Sequence, residues 1–211
     1  RIRTWEDLPV LSYLFLKGKC STCGSAISLR YPTIEWLTGV LSVVVAFHFG
    51  VSLATLCALL LTWTLIALTL IDYDKQLLPD DLTLPLLWLG LLISFFDVFT
   101  DTQSSLIGAM LGYMILWTVF QTFKIVTGKE GMGFGDFKLL AALGAWLGWE
   151  LLPQIILLSS LVGAITGIFM LITGLTKRQQ PIPFGPYLAA AGWIALMWGH
   201  DINRLYLSSI Q

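Results

Sequence analysis

Two aspartates carry the chemistry this sequence can offer. Asp72 follows an apolar run in LTLIDYDKQLLPDDLTLPL, and Asp136 closes GMGFGD just ahead of a second apolar run, FKLLAALGAWLGW. A carboxylate at the edge of a membrane-type segment is costly to place and marks a functional position by default. Two carboxylates brought close together do not both ionise easily, so the pair holds one shared proton. One can then activate water as a general base while the other protonates a carbonyl oxygen, as in aspartic proteases. No HExxH or GxSxG motif competes for the role. Spacing alone leaves ordinary readings open: Asp136 as the N-cap of the next helix, and Asp72 as a helix-end carboxylate reaching water.

Other residues accompany the pair. Gly131, Gly133 and Gly135 permit backbone conformations closed to other residues and a close approach of another chain. With Lys138 and Asp74 they are candidates for a loop that receives a substrate. Asp80 and Asp81 are expected as loop or cap residues. Cys20 and Cys23, in KCSTCG, have the spacing of half a structural zinc site. An unmetallated thiol pair is the alternative. PIPFGP, residues 181–186, gives a stiff entry to the last apolar segment, either bordering a peptide cleft or only aiming the helix.

The elements that position these residues are membrane segments. Of 211 residues 56% are hydrophobic and 12% charged, against about 25% charged in a soluble domain. Mean hydropathy is +0.81. A net charge of −1 points to no nucleic-acid partner. The first residues, RIRTWEDLPV, show no cleavable signal, and upstream residues are expected. Seven segments approach the length of a transmembrane helix: 33–50, 52–71, 82–99, 104–123, 137–150, 152–174 and 184–200. The expected fold is therefore all-α and polytopic. Eleven of the twelve Lys and Arg residues then fall on the N-terminal side, and Arg204 alone on the other. The positive-inside rule makes the N-terminal side cytoplasmic. Asp72 and Asp136 lie at that face, His48 and His200 at the opposite one. Residues 1–31 read as a cytoplasmic segment with the CxxC loop, and 32–211 as the membrane domain.

Three stretches, LTLIDYDKQLLPDDLTLPLLWLGL, GKEGMGFGDFKLLAALGAWLGW and PIPFGPYLAAAGW, resemble the type IV prepilin peptidases, GxGD-type aspartic proteases of the bacterial inner membrane. LPVLSYLFLKGKCSTCGSAISLRYPTIEWLTG resembles the second half of that family's cytoplasmic zinc loop. The resemblance implies that Asp72 and Asp136, rather than Asp74, are catalytic. It implies cleavage of the basic leader of prepilins and type II secretion pseudopilins at a Gly–Phe type bond, with Asp74, Asp80, Asp81 and Glu130 as candidates to receive the leader's charge, followed by N-methylation with S-adenosylmethionine. It also implies zinc at Cys20 and Cys23, completed by an upstream CxxC and an eighth span. A proton- or cation-coupled transporter using the same aspartates is the rival. Carboxylates at one face, rather than near the midplane, count against it.

Overall fold

The computed structural model describes residues 11–128, 131–173 and 183–208. Among them the chain is helical and has no strand; Lys19 and Ala26 form an isolated antiparallel bridge. The helices are α1 (Leu11–Phe15), α2 (Arg30–Phe49), α3 (Leu53–Lys75), α4 (Asp80–Ile93), α5 (Thr102–Thr127), α6 (Phe134–Leu147), α7 (Leu152–Ile172) and α8 (Gly185–Ser208). Two compact units divide the chain, Arg1–Thr55 and Leu56–Gln211.

Each of the seven apolar segments becomes a helix, but the count of seven spans is not confirmed. Among the described residues, four helical stretches are long and apolar enough to cross a membrane: Arg30–Phe49, Leu53–Lys75, Thr102–Thr127 and Trp149–Ile172. α4 and α6 have 14 residues each, a rise of about 21 Å against a bilayer core of about 30 Å. α8 has the length, but Gly, Pro, His200 and Asp201 dilute its hydropathy.

In the first unit, a tight hairpin follows α1. Cys20 N–H donates to Ser25 O at 2.9 Å, Gly24 N–H to Cys20 O at 2.9 Å, and Ile27 N–H to Gly18 O at 2.8 Å.

In the second unit, α6 is the buried centre. Every residue from Leu139 to Leu147 is buried, because neighbouring helices come close enough to exclude everything between backbones. A Cβ on Gly108 of α5 would collide with Gly144 O, and one on Gly144 would collide with Gly108 O. Gly112, one turn along α5, meets Leu140 O at 2.6 Å in the same way. Small residues at such a crossing permit backbone contact and dispersion packing where lipid supplies no hydrophobic drive. Ser105 Oγ donates to Ala145 O at 2.6 Å across the same interface. On the α4 side, Gly90 leaves room for the Trp146 indole, whose Nε1 donates to Leu86 O at 2.8 Å. On the α8 side, Gly192 faces the Leu143 side chain.

The clash at Gly144 is with backbone, so no rotamer relieves it. Gly144→Val should force α5 from α6, costing about 1–3 kcal/mol or more. Thermal unfolding in detergent checks this, with Gly39→Ala, which has open space around it, as the silent control.

Candidate active site

Asp72 lies in the last turn of α3, which runs beyond the expected end at residue 71 to Lys75. Gln76 closes the helix: its N–H donates to Asp72 O at 2.8 Å, and it takes a left-handed φ of 52°, a helix-ending geometry usually left to glycine or asparagine. The Asp72 side chain is buried, and its Oδ2 accepts the backbone N–H of Gly185 at 3.0 Å. Gly185 is the first residue of α8, where backbone N–H groups have no partner within the helix. An apolar run therefore ends in a carboxylate that one free amide at the start of α8 satisfies.

Asp136 is the third residue of α6, and Gly133 takes the N-cap position. The N-cap reading of Asp136 is thus displaced by three residues. From this position a carboxylate reaches back to the backbone N–H of the N-cap, one half of a capping box. Asp136 is 7% exposed. Burial first, then the neighbouring Asp72 carboxylate, push its carboxyl up to about 7, against the opposite pull of the Gly133 N–H.

Both aspartates line one cleft of about 540 Å³. Its walls come from the end of α3 and the turn after it (Asp72, Gln76, Leu77, Leu78), Asp80 at the start of α4, the stretch Gly131–Asp136 with Lys138, and Pro183 with Phe184. Neither histidine lines it. His200 stands fifteen residues along α8 from Gly185, about 22 Å at helical rise.

The three loop glycines sort by what surrounds them. None of them has a positive φ, so their backbone is open to other residues and crowding is what distinguishes them. A Cβ on Gly135 would lie 2.6 Å from Leu78 Cβ and 3.2 Å from Leu78 O. One on Gly131 would meet the Phe123 ring at 2.8 Å, whereas one on Gly133 has its nearest neighbour, Asp136 Oδ2, at 3.9 Å. Gly135, the second residue of α6, is therefore the position that must lack a side chain. Leu78, buried at 6% exposure, also approaches Gly185, within 3.2 Å of where a Cβ there would sit. It packs between the two glycines that flank the aspartates.

Of the other candidates, Lys138 lines the cleft and holds Asp80 in an ion pair at 2.5 Å. Asp80 and Asp81 occupy the first turn of α4 behind an N-cap at Pro79, rather than capping it themselves. Asp74 is exposed and stands apart from the cleft lining. Glu130 lies outside the described residues, as do Pro181 and Ile182. Gly185, Leu78, Met132 and Phe184 are not singled out by the sequence pattern. PIPFGP marks the region without naming the residue, and a glycine at the first position of a helix is the available signal.

Cys20 and Cys23 sit together on the hairpin. Cys23 Sγ lies 3.1 Å from Ser25 Oγ. Hydrogen bonds from the Ser25 side chain, then from its backbone, then from the Cys20 side chain, draw the exposed Cys23 thiol down to about 7. A thiol so readily ionised suits a thiolate metal ligand. Two sulfurs make half a tetrahedral set, and no group of three or more metal-type side chains occurs among the described residues. Cys57 is buried within α3.

Comparison with known proteins agrees with the motifs. The profile described as "Type IV leader peptidase family" matches residues 59–168, and that of the "Bacterial Peptidase A24 N-terminal domain" matches residues 1–49. A prepilin leader peptidase/N-methyltransferase of Aeromonas salmonicida is 59% identical over 209 residues, covering 99% of this chain and 72% of its own length. Proteins of the same name from Pseudomonas aeruginosa (60% over 206 residues, 98% and 71% covered) and Stutzerimonas stutzeri (57% over 207 residues, 98% and 72% covered) are similarly close. No solved structure matches the chain.

Proposed function

The chain belongs to the type IV leader peptidase family, and from that premise we propose that it is an intramembrane aspartic endopeptidase that removes the leader peptide of prepilins, with Asp72 and Asp136 as its catalytic pair. The observation that carries the assignment is the shared cleft, in which two buried carboxylates face one space with no histidine among its walls. One aspartate takes a proton from water as the oxygen attacks the scissile carbonyl carbon. The other gives its proton to the carbonyl oxygen. Collapse of the tetrahedral intermediate breaks the C–N bond, and a proton passes to the leaving amine. Nothing in the comparisons supports the transporter reading.

The proton held by the pair makes the activity pH-dependent. A carboxyl raised to about 7 stays protonated below that pH and loses its proton above it. Cleavage should therefore decline as pH rises through about 7. A profile of kcat/KM between about pH 5 and 9 reads this base limb, which belongs to the pair rather than to either residue.

The basic-residue asymmetry supports a site at the cytoplasmic face of a bacterial inner membrane, and the substrate class extends to type II secretion pseudopilins cut at Gly–Phe type bonds. With seven spans here, the full protein would have eight. Asp80 is a weaker candidate to receive the basic leader than its charge suggests, because Lys138 compensates it. The relatives' names pair the peptidase with an N-methyltransferase, and the same second step is proposed for this chain, with S-adenosylmethionine as methyl donor. No glycine-rich strand-to-helix turn that would cradle it occurs among the described residues, so no residue is assigned to it.

Zinc at Cys20 and Cys23 would brace the hairpin, with two further ligands from outside the described residues. Elemental analysis of the purified protein should find zinc that Cys23→Ser removes; zinc unchanged by that substitution removes the assignment.

The activity itself is tested by incubating purified protein in lipid vesicles with a prepilin and weighing the products. One cut, releasing the leader, is expected. An intact substrate overturns the reading.

A further inference from the structure

The turn between α3 and α4 leaves Leu78 little freedom. Gln76 ends α3 with a left-handed φ of 52°. Pro79 takes the N-cap of α4, and its carbonyl accepts the N–H groups of Leu82 and Thr83 at 3.2 and 3.1 Å. A residue ahead of proline is held to extended backbone. The two leucines between these fixed points go opposite ways: Leu77 is 61% exposed and Leu78 6%. Leu78 then meets both elements that carry the site. Its Cβ occupies the space that a Cβ on Gly135 would need, 2.6 Å from that point and one residue before Asp136. Its Cδ1 lies 3.2 Å from the corresponding point on Gly185, and Asp72 Oδ2 lies 2.6 Å from that same point.

We propose that Leu78 is the spacer that sets the separation of the two carboxylates, and so a positioning residue for the cleavage. The inference rests on the peptidase reading above. The first turns of α6 and α8 each present a glycine to Leu78, and close packing on both sides passes any change in its bulk to its neighbours. Truncation at Cβ keeps the contact with Gly135 and removes the one with Gly185. The start of α8 then settles into the gap and carries with it the Gly185 N–H that holds Asp72. Asp136 stays with α6, so the distance between the carboxylates changes. A shift of about 1 Å at a reacting group is worth about a hundredfold in rate.

The experiment is single-turnover cleavage of a prepilin by purified protein in lipid vesicles, with enzyme in excess and its concentration varied. The rate at saturating enzyme does not depend on how much of the enzyme is folded, so a merely structural role leaves it unmoved. Leu78→Ala should lower that rate by about tenfold or more, with the half-saturating enzyme concentration within about twofold of wild type. Leu78→Met, which conserves volume, should restore the rate to within about threefold. Leu196→Ala is the control, because Leu196 is 8% exposed and lies eleven residues along α8 from Gly185, about 16 Å at helical rise. It should lower thermal stability and leave the saturated rate alone. If Leu78→Ala does not fold, Leu78→Val, which withdraws the Cδ methyl groups from Gly185, decides by the direction of the same two readings. A saturated rate within twofold of wild type overturns the spacer. So does a loss confined to half-saturation, which would make Leu78 a substrate contact in the cleft it lines. An equal loss in Leu196→Ala, or no recovery in Leu78→Met, also overturns it. A wild type that leaves the prepilin intact overturns the peptidase reading itself.

Discussion

Gly185→Ala should lower kcat by about a hundredfold while leaving KM within about twofold, because about 1 Å of misplacement at a reacting group is worth that much. The added Cβ would stand 2.6 Å from Asp72 Oδ2 and 3.1 Å from Asp72 Cγ. Asp72 is 5% exposed, so its carboxylate has little open space to swing into. Leu78 closes the other side, with its Cδ1 at 3.2 Å from the same Cβ. The carboxylate must shift and give up the 3.0 Å bond from the Gly185 N–H. The substitution changes no catalytic group and favours the helix it starts. A fall in kcat at near-constant KM, with unchanged thermal unfolding, therefore reports positioning. Steady-state cleavage of a prepilin reads it, and a kcat within twofold of wild type contradicts the role given to Gly185.

The legible part of this protein was the pair of carboxylates that line one cleft. Asp72 and Asp136 were readable because carboxylates at the ends of apolar runs need a reason to be there, and few other reactive residues compete with them. Apolar runs of near-transmembrane length located each long helix. They did not decide which helices cross a membrane, since that depends on where a helix stops. α3 continues past residue 71 because Gln76 accepts a left-handed turn, and α6 stops after 14 residues at Gly148, whose φ is 82°. Three-dimensional crowding was the illegible part. Gly131, Gly133 and Gly135 look alike in sequence, yet Gly135 alone meets backbone within 3.4 Å, at Leu78, because the turn after α3 crosses it. Likewise, the pairing of Lys138 with Asp80 joins positions 58 residues apart, a contact no local pattern reveals.

The central claim is that Asp72 and Asp136 act as one unit. Asn keeps the shape of each side chain and removes its acid–base capacity. General acid–base catalysis contributes about 10²–10⁴-fold, and a pair that shares one proton loses its function when either member is lost. Asp72→Asn and Asp136→Asn should thus each reduce the rate by roughly 10³-fold or more. The double variant should be about as slow as the slower single one, since residues acting together are strongly non-additive. Folding should survive, because the amide oxygen that Asp72→Asn introduces can still accept the Gly185 N–H. The decisive measurement is the single-turnover cleavage rate of a prepilin by purified wild type, both single variants and the double variant. Three near-equal losses are the predicted result; either single variant cutting within tenfold of wild type would contradict it.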